Sequence, residues 1–352
     1  MREVTIEEVA RAAGVSSATV SRALRGRGGI SPATTERVRR VAEELGYSVS
    51  PLASRLASGR AGSVAVVLPY LDRWFFVSVL SAAEQVFREA GLDVLLYHVG
   101  NTDLRQEFFS FGLLRKRVDG VLLLSLTLSE KETEVLRGLG LPVGIVGTDI
   151  PGFHSVRTDD VRSASTAVQH LLNLGHERIA IISGDPSDPM QCAAPMERRV
   201  GYRRSLEAAG IAADPELEVY GDFTVDGGQV ATAELFGRPN PPTAIFAESD
   251  EMAFGALRVL SRFGLKVPAD ISVVGFDNHQ MAGYFDLTTI SQPVSEQGRI
   301  IAQRLVDAIE HPEKVPSAQI QIDTRLVVRG STAAPNEYRR SLHSTPPAPL
   351  PG

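Results

Sequence analysis

Thr5-Ile6-Glu7-Glu8-Val9-Ala10-Arg11-Ala12-Ala13-Gly14-Val15-Ser16-Ser17-Ala18-Thr19-Val20-Ser21-Arg22-Ala23-Leu24 is the stretch on which the reading of the chain turns. Thr5 opens a helix with Glu8 three residues on, the spacing of a capping box. Ile6, Val9, Ala10 and Ala13 recur at helical spacing. Gly14 tolerates the positive φ that ends a helix, Val15 plugs the corner, and Ser16 caps a second helix. In that second helix Val20, Ala23 and Leu24 form the inner stripe. Ser17, Ala18, Thr19, Ser21 and Arg22 face outward. Small side chains let a helix lie deep in the DNA major groove, Arg grips guanine bidentately, and hydroxyls hold phosphates. A third helix follows, capped by Ser31 with Pro32 at its first position and stopped by Gly46. Val38, Val41, Ala42 and Leu45 are its expected buried face. Three short helices within residues 4–47 make a helix-turn-helix headpiece.

The motifs Val4-Thr5-Ile6, Val9-Ala10, Ala13-Gly14-Val15-Ser16 and Thr19-Val20-Ser21-Arg22 resemble the headpiece of the lactose-repressor (LacI/GalR) family of bacterial transcription regulators. Arg117-Val118-Asp119-Gly120, Gly175-His176-Glu177-Arg178-Ile179, Pro242-Thr243-Ala244-Ile245-Phe246, Asp250-Glu251-Met252-Ala253 and Val274-Gly275-Phe276-Asp277-Asn278 carry the likeness over nearly the whole chain. The resemblance implies a homodimer on double-stranded operator DNA, controlled by a small-molecule effector. The expected DNA-binding residues are Thr5, Ser16, Ser17, Ala18, Thr19, Ser21, Arg22, Arg25, Arg55 and Leu56.

Residues 25–30, Arg-Gly-Arg-Gly-Gly-Ile, follow no strand and read as the link between the second and third helices rather than as a nucleotide loop. In residues 47–60, Ser50 and Pro51 can open a helix too short to be stable alone; a plain linker is the other reading of those residues. The resemblance makes the segment a hinge helix that orders on the operator, with Leu56 wedged into the minor groove. Such a wedge kinks DNA.

A length of 352 residues implies two or three domains, and 43% apolar with 22% charged residues is the composition of a globular protein. No apolar run approaches the ~20 residues of a membrane span. The start, Met-Arg-Glu-Val, is no signal peptide, so a cytoplasmic protein without a membrane partner is expected. The lone Cys192 excludes internal disulfides and Cys-rich zinc sites and is assigned no role; no cofactor or metal is expected. Ten Arg against six Glu make residues 1–60 +4, and the chain's net −6 therefore leaves −10 for the remainder. A basic head on an acidic body suits a DNA-binding module joined to a sensor.

From residue 63 the period changes. Val64-Ala65-Val66-Val67-Leu68 reads as a strand of a parallel sheet buried on both faces. Further strands are expected at 94–97, 121–124, 143–146, 179–182, 244–247 and 271–275, alternating with helices. The fold class is α/β: a three-helix headpiece and a core of two doubly wound subdomains. The family's periplasmic-binding-protein-like core implies the crossed arrangement of 61–160 with 291–320, and 161–290 with 321–330, making one effector-binding and dimerisation core, 61–330. The Pro-rich stretch 331–352 is expected to be a disordered tail.

Ligands in open α/β sheets bind beyond the carboxyl ends of strands. Expected effector contacts there are Phe75, Phe76, Ser125, Asp149, Asp159, Arg198, Phe223, Ser249 and Asp277. Asp250 is expected to cap the helix it begins. By resemblance Arg198 and Asp277 grip the effector, Phe223 stacks on it, and Phe75 and Phe76 match residues that contact a purine in the purine repressor. A carboxylate and a guanidinium suit hydroxyl pairs, and aromatic faces cover the apolar side of a ring. A sugar or sugar derivative is therefore the expected effector; a purine or nucleoside is the alternative. An anionic ligand is disfavoured, because Asp149, Asp159 and Asp277 face Arg198 alone. No dinucleotide fingerprint follows the first strand, and there is no P-loop, G-x-S-x-G or H-E-x-x-H, so no enzyme is expected.

Overall fold

The computed structural model describes residues 4–24, 29–47, 60–110, 113–188, 190, 192–313 and 315–336. It divides into two compact units, Met1–Gly62 and Ser63–Gly352. In the first, α1 (Ile6–Ala13), α2 (Ser17–Leu24) and α3 (Pro32–Glu44) close over Val9, Ala10, Ala13, Val20, Ala23, Val38 and Ala42. The Thr5 N–H donates to Glu8 Oε2 at 2.9 Å. Gly14 has φ +64°, which lets the Val15 N–H reach back to the Ala10 carbonyl at 3.0 Å and close α1. Leu45, expected on the buried face, is 39% exposed; it is the C-cap of α3, and Tyr47 packs against the core instead. Arg25 and residues 48–59, with Arg55 and Leu56, lie outside the described residues.

The second unit holds two six-stranded sheets. The first runs β11-β5-β4-β3-β1-β2, all parallel. Its strands are β1 (Ser63–Leu68), β2 (Asp93–His98), β3 (Gly120–Leu124), β4 (Val143–Val146), β5 (His154–Thr158) and β11 (Gln319–Ile322). The second runs β12-β10-β9-β8-β6-β7, parallel except for the β10–β12 pair. Its strands are β6 (Ile179–Ser183), β7 (Glu218–Tyr220), β8 (Ala244–Ala247), β9 (Ser272–Asp277), β10 (Thr288–Ser291) and β12 (Arg325–Val327).

Helices cover both faces of each sheet, which is why β1, β3, β4, β8 and β9 are apolar without alternation. Val64, Val66 and Leu68 pack with Phe76, Val79, Ala83 and Phe87 of α4 (Trp74–Glu89) and with α11 (Val294–Glu310). Ala65 and Val67 face Phe108 of α5 (Thr102–Phe108) and Leu136 of α6 (Glu130–Leu139). In the second lobe α7 (Asp160–Asn173) and α8 (Ala193–Ala208) cover one face, α9 (Val225–Gly237) and α10 (Asp250–Arg262) the other. The chain passes between lobes three times: after β5, after β10, and between β11 and β12.

Strands β5, β7, β10, β11 and β12 were not expected. They are short, and β5 and β11 mix polar residues with apolar ones, as strands at or beside a sheet edge do. The expected disordered tail 331–352 is contradicted over its first part, since residues 331–336 are ordered. Ser331 is buried; the Val273 N–H donates to its carbonyl at 2.9 Å and the Thr288 N–H to its Oγ at 2.8 Å. The Ala333 N–H donates to Ser272 Oγ at 3.0 Å. Ser331 thus satisfies backbone groups at the starts of β9 and β10, and Ala333 bonds the Ser272 side chain of β9; residues 337–352 lie outside the described set.

Helices α9 and α10 touch through glycine. A Cβ on Gly255 would lie 2.1 Å from the Val225 carbonyl and 2.7 Å from the Gln229 N. Gly255→Ala is expected to cost about 1–3 kcal/mol, the range for overpacking a close contact. Gly138 in α6 has nothing within 4 Å of its added Cβ; Gly138→Ala should stabilise by up to about 1 kcal/mol through helix propensity. Urea unfolding of the two variants checks both signs, and a wild-type midpoint for Gly255→Ala would mean the helices lie farther apart.

Candidate functional site

Two surfaces stand out, one on each unit. On the first, the outer face of α2 carries Ser17, Ala18 and Arg22, all exposed, and Thr19 and Ser21, half-buried. Ser16 caps the helix: the Thr19 N–H donates to its Oγ at 3.2 Å, and the two side-chain oxygens lie 2.9 Å apart. Arg22 Nε donates to the Ala18 carbonyl at 3.3 Å, which lays the guanidinium along the helix. Thr5 is exposed at the start of α1. Nothing on this face belongs to the headpiece core.

On the second unit, the carboxyl ends of the strands of both lobes meet at a cleft. Its inner chamber is lined by Arg73, Phe75, Phe76, Ser125, Cys192, Ala194, Pro195, Arg198, Phe223, Asp277 and Gln292. Arg73, Cys192, Pro195 and Phe223 also line a more open outer chamber. Arg198 is the anchor of the floor. Its Nε donates to Asp160 Oδ1 at 2.7 Å, its Nη1 to the Glu248 carbonyl at 2.5 Å, and its guanidinium lies 3.6 Å above the Phe276 ring. Burial opposes its charge, but Asp160, Asp277 and Glu248 outweigh burial and hold its pKa above the ordinary value. Asp277 Oδ1 accepts from Gln292 Nε2 at 2.5 Å. Burial, only partly offset by Arg198, pushes the Asp277 carboxyl up to about 7. Burial likewise pushes Glu248 up to about 8; its Oε2 accepts from Ser183 Oγ and its Oε1 has no partner among the described residues.

The backbone around the cleft is strained. Ser125, Asp222, Phe223, Asp277 and Asn278 all have positive φ, between 50° and 116°. Such conformations cost free energy in non-glycine residues and persist where surrounding structure imposes them, often at binding sites. Across the mouth, residues of the first lobe hold residues of the second. Tyr70 Oη donates to Asp188 at 2.6 Å, and Arg73 Nη2 to Asp222 at 3.3 Å. Trp74 Nε1 donates to Gln280 at 3.0 Å, and its backbone N–H to Glu251 at 3.3 Å.

The structure brings six of the expected effector residues into the inner chamber: Phe75, Phe76, Ser125, Arg198, Phe223 and Asp277. It places three elsewhere, each committed to a local partner. Asp149 pairs with Arg157 at 3.2 Å and accepts from Ser155 Oγ at 2.5 Å. Asp159 caps α7, accepting from the Arg162 N–H at 2.9 Å. Ser249 caps α10, accepting from the Met252 N–H at 3.2 Å. The cap expected of Asp250 therefore falls to Ser249; the Asp250 carboxylate instead accepts from Thr289 Oγ1 at 2.6 Å and the His279 N–H at 2.7 Å. Arg73, Cys192 and Gln292 were missed. Cys192, left without a role, lines both chambers, and burial raises its thiol to about 11. Nothing in the spacing of these three residues marks them; only the fold brings them to the cleft. Arg73 also corrects the charge argument, since Arg198 is not the cleft's one cation.

Residues 5–50 match the model described as bacterial regulatory proteins, lacI family, and residues 168–332 match a periplasmic binding protein-like domain. The chain is 35% identical over 335 residues to the HTH-type transcriptional repressor CytR of Escherichia coli (strain K12), covering 94% of this chain and 96% of that one. The chain belongs to the lacI family of bacterial regulatory proteins. Among solved structures of this family, the transcriptional regulator CelR–cellobiose complex is 35% identical, with a TM-score of 0.68 over 94% of this chain and all of that one. The lac repressor dimer bound to operator and the anti-inducer ONPF is 26% identical, with a TM-score of 0.82 over 95% of this chain and all of that one. As a LacI-family member the protein is a DNA-binding transcriptional regulator, and its architecture of helix-turn-helix head and two parallel-sheet lobes is the family's. No described helix is long and apolar enough to cross a membrane.

The raised Asp277 pKa has a consequence for stability. Below the unfolded carboxylate pKa of about 3.9 the group is protonated in both states and contributes nothing. From there to about 7 the folded state alone keeps the proton, so this group lowers stability as pH rises, and above about 7 its penalty is constant. Asp277→Asn is therefore expected to gain on the wild type between pH ~4 and ~7 and then hold its advantage. Urea unfolding across that range measures it; a gap independent of pH would show Asp277 ionised in the empty cleft.

Proposed function

We propose that the protein is a cytoplasmic transcriptional repressor, without enzymatic activity, whose operator affinity is set by a small neutral ligand, a sugar or sugar derivative. The proposed division is a DNA-binding head over 1–46, a hinge over 47–60 and an effector core over 61–330. On the head, Arg22 reads a base, Ser16, Ser17, Thr19, Ser21 and Thr5 hold phosphates, and Ala18 lets the helix approach. Arg25, Arg55 and Leu56 complete the set on the operator. In the core, Arg198 and Asp277 meet adjacent hydroxyls, while Phe75, Phe76 and Phe223 cover a ring face. The observation that carries this reading is the inner chamber, where a buried donor fork, a buried acceptor and three aromatic rings line one cavity. The cellobiose bound by CelR supports it. The Phe75–Phe76 pair, 5.3 Å apart and edge to face, favours a second reading, a nucleoside stacked on one of these rings.

The proposed assembly is a homodimer. Leu71, Val77, Leu96 and Leu104 are exposed on the first lobe, Met281, Tyr284 and Phe285 on the second, and Tyr284 is 84% exposed. A two-fold dimer suits a near-palindromic operator. Linkage sets the mechanism: the effector acts only through different affinity for two states of the core.

Arg22→Ala is expected to cost about 1–3 kcal/mol in operator binding and to relax base preference at one position per half-site. A mobility-shift series in which the ranking of operator variants stayed the same would remove Arg22 from base readout. Light scattering at micromolar concentration should give a dimer; a monomer with and without operator would reject the assembly.

A further inference from the structure

We infer that Arg105 is a latch between the lobes, a positioning residue that sets how readily the core opens while lining neither chamber of the cleft. The inference rests on the two-state reading of the core and not on the identity of the effector. Arg105 lies on α5 of the first lobe and is 8% exposed. Within that lobe its Nε and Nη2 donate to the two Glu132 carboxylate oxygens at 2.7 and 3.0 Å, and Nη2 donates to the Thr127 carbonyl at 2.6 Å. The remaining nitrogen, Nη1, crosses to the second lobe and donates to the Met190 carbonyl at 3.0 Å. Met190 is 1% exposed. Each bond at the mouth has a half-buried or exposed partner. The Arg105–Met190 bond joins two buried residues, where a hydrogen bond is electrostatically stronger.

The division of the guanidinium fork is what makes the contact a latch. Glu132 balances the charge within the first lobe, so parting the lobes leaves no buried charge unpaired. Opening breaks one hydrogen bond, and Nη1 and the Met190 carbonyl then pass to water. The stretch that Arg105 holds is fastened a second time. The Met190 N–H donates to Asp188 Oδ1 at 2.9 Å, and Asp188 Oδ2 accepts from Tyr70 Oη of the first lobe at 2.6 Å. Thr127 and Asp188 line the outer chamber, and Arg105 and Met190 hold them without lining it. A ligand thus shifts the balance of open and closed cores from inside the cleft, and Arg105 sets from outside it where that balance begins.

Hydrogen exchange on the full chain tests this with no ligand present. The Trp74 N–H donates across the mouth to Glu251, and it exchanges when the lobes part. Arg105 bonds to neither of those residues, so a purely local role for Arg105 would not reach the Trp74 amide. Arg105→Lys keeps a cation beside Glu132, but one ammonium nitrogen cannot stand where both Nη1 and Nη2 stand. It is expected to speed exchange at Trp74 about fivefold, the effect of one net hydrogen bond on an equilibrium. Tyr70→Phe, which removes the second fastening, should act in the same direction. Ser129→Ala is the control: it removes the N-cap of α6 beside Glu132, at a similar cost in stability, and should leave Trp74 exchange within about twofold. Unchanged exchange at Trp74 in both Arg105→Lys and Arg105→Gln would overturn the latch and leave Arg105 a fastening of its own lobe. An increase matched by Ser129→Ala, or one that in both Arg105 variants grows steeply with urea, would overturn it too, since such exchange comes from unfolding and not from the parting of folded lobes.

Discussion

The cleft depends on one buried guanidinium. Arg198, 5% exposed, reaches from α8 to Asp160 at the start of α7 and to the carbonyl that follows β8, and it rests on a ring of β9. Four elements of the second lobe are therefore fixed around a single side chain. Arg suits this role better than Lys, because a planar fork satisfies several acceptors at set angles and stacks on an aromatic face at once. An unpaired charge in such a place would be severely destabilising. The Asp160 contact is what allows Arg198 to point at the cleft at all.

The floor beneath the cleft holds more buried acid than buried base. Asp160, Glu248, Asp250 and Asp277 are each at most 6% exposed, and Arg198 is the one basic side chain buried with them in this cluster. So many carboxylates cannot all remain ionised in a dry environment. Burial raises Asp250 well above the carboxylate range, with Asp277 adding to it, while Glu248 and Asp277 move toward neutrality. Glu248, pushed up to about 8, and Asp277, pushed up to about 7, are thus held far closer to neutrality than ordinary carboxylates. A ligand hydroxyl that donates to Asp277 favours its charged form and so competes directly with the proton.

The sequence made the headpiece legible almost residue by residue, because caps, a glycine corner and a 3.6-residue period are local signals. The central strands were equally plain, since burial on both faces leaves uninterrupted runs such as Val64 to Leu68. The strands at or beside the sheet edges, β5, β7, β10, β11 and β12, were not, because their pairing partners and not their composition make them strands. In the cleft, Arg198, Asp277 and the aromatic residues were found through their position at or beside strand ends and through family likeness. Asp149, Asp159 and Ser249 satisfied the same criterion and failed it in space, because Asp159 and Ser249 open helices and spend their side chains on the caps, while Asp149 is taken by Arg157 and Ser155. Ser249 and Asp250 illustrate the limit: two adjacent polar residues begin α10, and the sequence does not say which one caps and which one turns to β10. Arg73 and Gln292 come from different lobes, 219 positions apart, and only the folded arrangement brings them to one chamber.

Three short crossings join the lobes, and short crossings permit bending about a common hinge more readily than sliding. Arg105–Met190 and Arg157–Glu197 also join the lobes; at the mouth itself opening is opposed by the Tyr70–Asp188, Arg73–Asp222, Trp74–Gln280 and Trp74–Glu251 bonds. Each is a polar contact between partly buried or exposed groups, worth on the order of a kcal/mol net. Their sum is of the size by which small ligands shift two-state equilibria. A ligand seated under these contacts needs only to add a few bonds of the same strength to change the balance of open and closed cores. Since β1 leads directly out of the head's own segment at Gly62, the lobe that carries Tyr70, Arg73 and Trp74 is also the lobe to which the head is tied. The residues at the mouth are therefore where a ligand can alter the balance between the two lobes of the core.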